Sequence, residues 1–201
     1  KMMYEKTHDN IRTIRPLRDG VIADFTACPL DKYTDISNFK SEYGMYTDFI
    51  NPSSNSGASL ALEYDKYGVS QTYLIYKIDD IEKKNICAYF SIGPDMISFS
   101  KENRPDNVPL HIDTAGAIKI HYLASSLDFA EKYGHIVKFI VSIVKNLITE
   151  ILNETLNIRY ITLDADDQSG NKDIVEIYKS VGFYVAGKSF ELDYMIYDIY
   201  S

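Results

Sequence analysis

The sequence predicts an α/β protein with a mixed sheet of about six to seven strands, flanking helices and a parallel central strand–helix–strand unit. Three observations lead to this prediction. Short apolar runs bounded by polar turns recur along the chain, as is typical of strands. A broad apolar stripe with helical spacing covers Ile136 to Ile151 and lies between two runs of strand length. A second helical pattern stops at Gly182, where another strand-like run begins.

The N-terminal quarter of the chain has weaker patterns. Alternating apolar and polar residues from Ile11 to Leu17 predict a first strand, which Pro16 ends. Apolar residues recur loosely from Asp19 to Ile50, so we expect helical structure there. The polar stretch from Asn51 to Gly57 predicts a loop, and Ser59 to Glu63 a short helical turn.

An antiparallel hairpin is predicted next. Its first strand is Thr72 to Ile78, and the polar residues Asp79 to Asn85 form the turn. The second strand runs from Ile86 to Ile92, and we expect Gly93-Pro94 to break it.

The central strand–helix–strand unit follows a long loop. Residues Lys101 to Gly116 are rich in Pro, Asn and Asp and predict a mobile surface loop. Ala117 to Ala124 is a strand of buried type, and Ser125 to Tyr133 is expected to be the loop before the long helix. Tyr160 to Leu163 is the second buried strand. Such a connection makes a right-handed crossover between parallel strands.

The chain closes with one helix and two strands. The helix begins near Lys172 and ends at Gly182, since glycine tolerates the left-handed conformation of a helix C-terminal cap. Phe183 to Ala186 and Tyr194 to Ile199 are the last predicted strands.

Composition restricts the class of partner. The net charge is −8 and the pI about 5.0, which argues against nucleic acid as a partner because phosphate binding needs many Lys and Arg residues. The same charge suits an amine substrate. Cys28 and Cys87 form neither a metal-ligand spacing nor a disulfide framework and suit a reduced compartment. No signal-like or membrane-spanning apolar run is present, so we expect a cytoplasmic protein without a membrane partner.

The segment Asn171 to Phe183 carries the most specific pattern. Tyr178 stands seven positions after Asn171, and Gly182-Phe183 follow after a short gap. This string resembles a signature of the GNAT superfamily of acetyl-CoA-dependent N-acetyltransferases, except that Ile174 replaces a small residue. The order of elements over residues 11 to 200 is also similar to the GNAT fold, and Tyr194-Met195 resembles the last strand of that family. The resemblance implies a single GNAT-like acyltransferase domain spanning residues 1–201.

The resemblance implies acetyl-CoA as co-substrate and a set of residues that bind it. The GNAT pyrophosphate loop is degenerate here: Gly134 matches, whereas Glu131 and Ile136 depart from the family pattern. A carboxylate at the first of these positions would repel pyrophosphate. The pantetheine arm would run along the first strand of the parallel unit and be held by Asn171. The full set of residues implied to bind the cofactor is Leu123, Ala124, Ser125, Lys132, Tyr133, Gly134, His135, Ile136 and Asn171.

The catalytic groups are predicted on two grounds. The resemblance makes Tyr178 the acid that protonates the departing thiolate. His121 lies on the strand beside the implied acetyl site, and imidazole suits proton transfer near neutral pH, so it is the candidate base. Asp164 and Asp166 fit a solvated strand end better, and His111 would reach the site only if its loop closed. No metal-ligand cluster, Ser-His-Asp arrangement or phosphate-binding P-loop is visible.

The sequence therefore predicts an N-acetyltransferase that moves an acetyl group from acetyl-CoA to an amine on a small molecule or protein. The acceptor itself and a homodimeric state stay open. One alternative is a GNAT-fold binding or regulatory protein without catalysis, which Glu131 and Ile136 motivate. Another is a toxin that acetylates charged transfer RNA, since residues near Phe25, Cys28 and Leu30 resemble that branch of the family.

Overall fold

A computed structural model describes residues 12–14, 23–52, 59–100, 104–133, 137–147, 157–166 and 173–200. The chain divides into two compact units, each built from three separate segments. The first unit contains the described residues of Lys1–Tyr67, Gln71–Phe90 and Ala124–Ile136. The second contains those of Gly68–Ser70, Ser91–Leu123 and Val137–Ser201. None of the helices in the described part of the chain is long and apolar enough to cross a membrane.

The first unit consists of antiparallel strands and three short helices. In chain order its elements are β1 (Arg12–Ile14), β2 (Ala23–Pro29), α1 (Gly44–Ile50), α2 (Leu60–Lys66), β3 (Gln71–Lys77), the first residues of β4 (Ala88–Ser98), and α3 (Leu127–Tyr133). β2 pairs antiparallel with both β1 and β3, and β4 lies beside β3. Ser59 caps α2 by accepting a hydrogen bond from the Leu62 N–H at 3.2 Å. The predicted hairpin strands are therefore neighbours in the sheet, and the predicted turn at Ser59 is the start of a helix.

Two predictions in the first unit are wrong. Ala23–Pro29, expected to be helical, is a strand because it pairs with β3, with Phe25 opposite Lys77. The expected loop before the long helix contains α3 instead. Phe129 and Tyr133 lie four residues apart on α3 and both pack on Phe25, with ring centroids 5.5 and 6.4 Å away. The burial of Phe129 and Tyr133 stabilises this helix. Polar residues lie between the two aromatic rings in the sequence, so the sequence pattern alone does not predict a helix here.

The second unit contains the parallel strands. Its further elements are β5 (Thr114–Ser125), α4 (Val137–Leu147), β6 (Ile158–Ala165), α5 (Ile174–Ser180), β7 (Tyr184–Ser189) and β8 (Leu192–Asp198). The strand order is β4-β5-β6-β8-β7. β5 and β6 are parallel, as predicted, and β8 is antiparallel to both β6 and β7. The mixed sheet of the predicted fold class is thus confirmed, with β2 as the strand that the prediction did not include.

Gly93-Pro94 does not break β4, contrary to the prediction. A Cβ atom on Gly93 would lie 2.2 Å from the Val69 carbonyl oxygen and 2.8 Å from Nε2 of His121. Glycine is therefore needed here for close packing within a strand and not for a turn. The predicted loop also ends earlier than expected, since β5 already begins at Thr114.

The side chains of the second unit's strands alternate between the two faces of the sheet. Lys119 pairs with Thr162, so these side chains share one face, which we call the polar face. Ile120 pairs with Leu163 on the opposite face, which we call the helix face. On the helix face, the α4 residue Lys145 donates a hydrogen bond to the Tyr197 hydroxyl at 3.0 Å.

Candidate active site

The parallel pairing of β5 and β6 stops before either strand ends. The register of paired residues runs from Gly116↔Ile158 to Ile120↔Leu163. β5 continues to Ser125 and β6 to Ala165, so within the described residues both strands extend past their last pair. His121 and Asp164 are the first residues beyond that pair. Beyond this point the two strands are no longer paired, and we call this unpaired stretch the gap. The side chains of His121 and Asp164 lie on the polar face at its start.

A hydrogen-bonded cluster occupies the polar face beside this gap. Asp95 on β4 accepts hydrogen bonds from the hydroxyls of Thr162 and Tyr194, the latter at 3.1 Å. Lys119 donates to Oδ2 of Asp164 at 2.7 Å, and both side chains are about one-fifth exposed. Burial, followed by the negative charge of Asp95, raises the pKa of Tyr194, so its hydroxyl stays protonated. We call these residues and His121 the polar cluster.

His121 is the group of the polar cluster best suited to accept a proton. Burial lowers the pKa of His121 below its usual 6.5, and the positive charge of Lys119 lowers it further, against the smaller opposing effects of Asp95 and Asp164. The imidazole is therefore neutral at pH 7. Its Nε2 atom is shielded from water and has no hydrogen-bond partner among the described residues. A neutral imidazole with an unused ring nitrogen is what a general base requires.

Tyr178 lies on α5, on the other side of the sheet from His121. Its side chain is buried, with 7% of its surface exposed. The ring meets that of Phe183 at 5.7 Å, and Phe183 in turn packs on Tyr197 of the helix face at 5.4 Å. α5 ends in a Schellman motif, in which Gly182 has φ of 103° and its N–H donates to the Lys179 carbonyl. The helix and its glycine stop are as predicted.

The residues predicted to bind the cofactor lie in several places. Leu123, Ala124 and Ser125 form the end of β5 beyond its last pair with β6, and only Ala124 is fully buried. Lys132 is exposed on α3. Tyr133 is buried against Phe129, with ring centroids 4.6 Å apart, so its ring packs in the interior. Four further predicted residues lie outside the described part of the chain: Gly134, His135, Ile136 and Asn171.

Sequence reasoning missed four members of the polar cluster, namely Asp95, Lys119, Thr162 and Tyr194. A signal was present in two of the strands: Lys119-x-His121 and Thr162-x-Asp164 repeat polar residues at period 2 within apolar runs, which indicates one shared face. Of the other candidates, His111 is exposed and Asp166 half-buried. Within the described ranges, no three His, Cys, Asp or Glu side chains come together as a metal site.

Comparison with known proteins finds similarity at the level of structure. No protein-family model matches the chain, and no curated protein matches it. Among solved structures, AtaT complexed with acetyl-methionyl-tRNAfMet is 13% identical with a TM-score of 0.61, covering 87% of this chain and 95% of that one. AtaTR bound with AcCoA is 12% identical with a TM-score of 0.60, covering 88% and 94%.

A third similar structure is a mutant of KacT in which phenylalanine replaces a tyrosine. It is 12% identical with a TM-score of 0.59, covering 88% of this chain and 95% of that one. The matches extend over nearly the whole of both chains. The chain therefore has the GNAT fold that its sequence predicted.

Proposed function

We propose that the protein is an N-acetyltransferase that transfers an acetyl group from acetyl-CoA to an amine. The observation that carries this proposal is the end of the β5–β6 pairing at Ile120↔Leu163, with β5 continuing past its last pair with β6 to Ser125. An extended pantetheine arm fits such a strand edge, because its amides can pair with the free backbone groups as an added strand would. His121 on the polar face and Tyr178 behind the helix face then lie on opposite sides of the thioester.

The transfer needs two proton movements, and His121 and Tyr178 each carry out one of them. The acceptor amine loses a proton to the neutral imidazole of His121, and its nitrogen attacks the thioester carbonyl carbon. The carbon–sulfur bond breaks, and the Tyr178 hydroxyl donates a proton to the departing thiolate. The products are the N-acetylated amine and free CoA.

The structural comparisons support the cofactor. AtaTR was solved with AcCoA. Each compact unit is assembled from separated segments of chain, which supports the proposal that the chain works as a single acyltransferase domain. Two free cysteines, Cys28 and Cys87, support a cytoplasmic location.

A second candidate acceptor is the amino group of an aminoacyl-tRNA. The complex of AtaT with acetyl-methionyl-tRNAfMet favours it, since that product is an N-acetylated aminoacyl-tRNA. The net charge of −8 opposes a large phosphate-binding surface. We therefore propose an amine on a small molecule or a protein as the first candidate acceptor, and aminoacyl-tRNA as the second.

Calorimetry with acetyl-CoA, followed by a transfer assay with radiolabelled acetyl-CoA, tests the proposal. The acceptor panel contains aliphatic amines, a lysine-rich peptide and a pool of charged tRNA, with deacylated tRNA as the matched control. We expect acetyl-CoA to bind and at least one amine to become labelled. Absence of binding to both acetyl-CoA and CoA would overturn the proposal. Binding without label on any acceptor would favour the non-catalytic alternative.

A further inference from the structure

A thiol and an amine meet on the surface of the first unit. Lys83 donates a hydrogen bond from Nζ to Sγ of Cys28, and the two atoms are 3.0 Å apart. Cys28 lies on β2 and is partly exposed, and Lys83 is exposed in the connection between β3 and β4. Both side chains therefore contact solvent, unlike that of Cys87, which is buried.

Local structure holds each partner of this pair in place. Cys28 lies within the paired register of β2 and β3, so its backbone is fixed by the sheet. In the connection, the Asp80 carboxylate accepts hydrogen bonds from the backbone N–H groups of Lys84 and Asn85, at 3.2 and 2.7 Å. The Lys83 N–H donates to the Asp80 carbonyl at 2.9 Å. The position of the Lys83 backbone is therefore set by hydrogen bonds within the connection.

The contact has the geometry of an acyl transfer from sulfur to nitrogen. Cysteine is a strong nucleophile, and its sulfur can take an acyl group from a thioester by exchange of one sulfur for another. An acetyl carbon bonded to Sγ of Cys28 would be one bond away from an atom that lies 3.0 Å from the Lys83 nitrogen. Reacting atoms held about 3–3.5 Å apart react as if at a very high local concentration. An amide is more stable than a thioester, so the acetyl group moves from sulfur to nitrogen and not back.

We propose that Cys28 and Lys83 form a self-acetylation site, at which acetyl-CoA modifies Lys83 by way of Cys28. The Cys28 thiolate attacks the thioester carbonyl carbon, the bond from that carbon to the CoA sulfur breaks, and CoA leaves as its thiolate. Lys83, after losing a proton to water, attacks the acetyl carbon of S-acetyl-Cys28. The nitrogen releases a second proton, the carbon–sulfur bond breaks, and Cys28 leaves as the thiolate. The site takes only the acetyl donor from the proposed function and needs neither His121 nor Tyr178.

Incubation with acetyl-CoA in the absence of an acceptor tests the site by peptide mass spectrometry. Lys84 is the matched internal control, because it is exposed in the same connection and pairs with Glu82 instead of a thiol. We expect Lys83 to be acetylated about tenfold faster than Lys84, or more. Cys28→Ser should reduce the Lys83 rate to that of Lys84, whereas Cys87→Ser should leave it unchanged. Equal acetylation of Lys83 in the native and Cys28→Ser proteins would overturn the proposal.

A second variant traps the acetyl group on sulfur. Lys83→Arg keeps a cation beside Cys28 and removes the amine that receives the acetyl group. We expect this variant to accumulate one acetyl group on Cys28 that hydroxylamine removes, because hydroxylamine cleaves thioesters and leaves amides intact. In the native protein the acetyl group on Lys83 should resist the same treatment. Absence of a hydroxylamine-sensitive acetyl group in Lys83→Arg would contradict the route through sulfur.

Tyr178→Phe separates this inference from the proposed function. Lys83 should be acetylated in this variant at the native rate, because the site needs only the thiol, the amine and acetyl-CoA from solution. Loss of Lys83 acetylation in Tyr178→Phe but not in Cys28→Ser would assign the modification to the transferase site and overturn the self-acetylation site. Lys83 acetylation without transfer to any added amine would keep this site and count against the proposed function.

Discussion

The Tyr178 carbonyl accepts the Phe183 N–H at 3.1 Å, and the two rings also meet edge to face with centroids 5.7 Å apart. The backbone bond and the ring contact connect the last turn of α5 to the residue before β7. The same chain reversal requires φ of 103° at Gly182. The geometry that holds the candidate acid therefore depends on a glycine four residues away from it.

Replacement of Gly182 by alanine should destabilise the protein. The new Cβ would need a backbone conformation that side chains disfavour and would lie 2.9 Å from the Tyr197 ring. We expect a loss of roughly 1–3 kcal/mol, which lowers Tm by several degrees for a chain of this size. Thermal unfolding followed by circular dichroism measures it. Gly187→Ala is the matched control, since it has open space and lies in a strand, and an equal loss in both variants would contradict the argument.

Removal of the Tyr178 hydroxyl should affect turnover and leave binding intact. Tyr178→Phe keeps the ring contact with Phe183, so acetyl-CoA affinity should change little. We expect kcat to fall by roughly 10²–10⁴, the usual contribution of a positioned acid. Calorimetry and steady-state kinetics with a working acceptor measure the two quantities, and Tyr200→Phe, at an exposed position, is the control. Full turnover in Tyr178→Phe, with chemistry rate-limiting, would reduce Tyr178 to a packing residue.

His121 should titrate below its ordinary pKa of 6.5 in the folded protein, because burial and Lys119 disfavour the imidazolium. At a pH between the two values of the His121 pKa, the unfolded state binds more protons than the folded state. The contribution of His121 to stability is therefore complete above pH 6.5. It is lost as the pH falls from 6.5 toward the pKa of the folded state. The proposed role of His121 as general base requires its neutral form, so kcat/KM should fall over the same acidic range.

Variants of the neighbouring cation test the cause of this shift. Lys119→Met removes the positive charge and leaves Asp95 and Asp164 facing the imidazole, so the His121 pKa should rise. Lys188→Met, which removes a cation paired with Asp193 elsewhere, should leave it unchanged. The pH dependence of the His121 Cε1 proton resonance measures both. A His121 pKa at or above 6.5 in the native protein would contradict the burial argument.

Alanine at Gly93 should displace the imidazole. Its Cβ would overlap the Val69 carbonyl oxygen at 2.2 Å and approach His121 Nε2 at 2.8 Å. The Val69 oxygen belongs to the backbone of the bend before β3, so it cannot move without shifting that segment. We expect a loss of about 1–3 kcal/mol from overpacking. The His121 resonance should also move, which Gly187→Ala should not cause. A Gly93→Ala protein with native Tm and an unmoved resonance would show that this contact is not tight.

Local patterns predicted the parallel unit and the closing helix well. Gly182 marks the end of α5, and the helical stripe before β6 is α4, because both depend on residues close in sequence. The predictions failed where distant residues decide the structure. Ala23–Pro29 becomes a strand through its pairing with β3. Gly93-Pro94 stays inside β4, where Gly93 packs closely against Val69 and His121.

The sequence by itself determined that Lys119 and His121 lie on one face of their strand, and that Thr162 and Asp164 lie on one face of theirs, because strand side chains alternate with period 2. It also determined the helix that carries Tyr178. Only the tertiary structure decided that these faces are the same one, that the pairing stops beside His121 and Asp164, and that Asp95 joins Thr162 across 67 residues. Register is the physical reason: it is set by packing between segments distant in sequence, which no local spacing encodes.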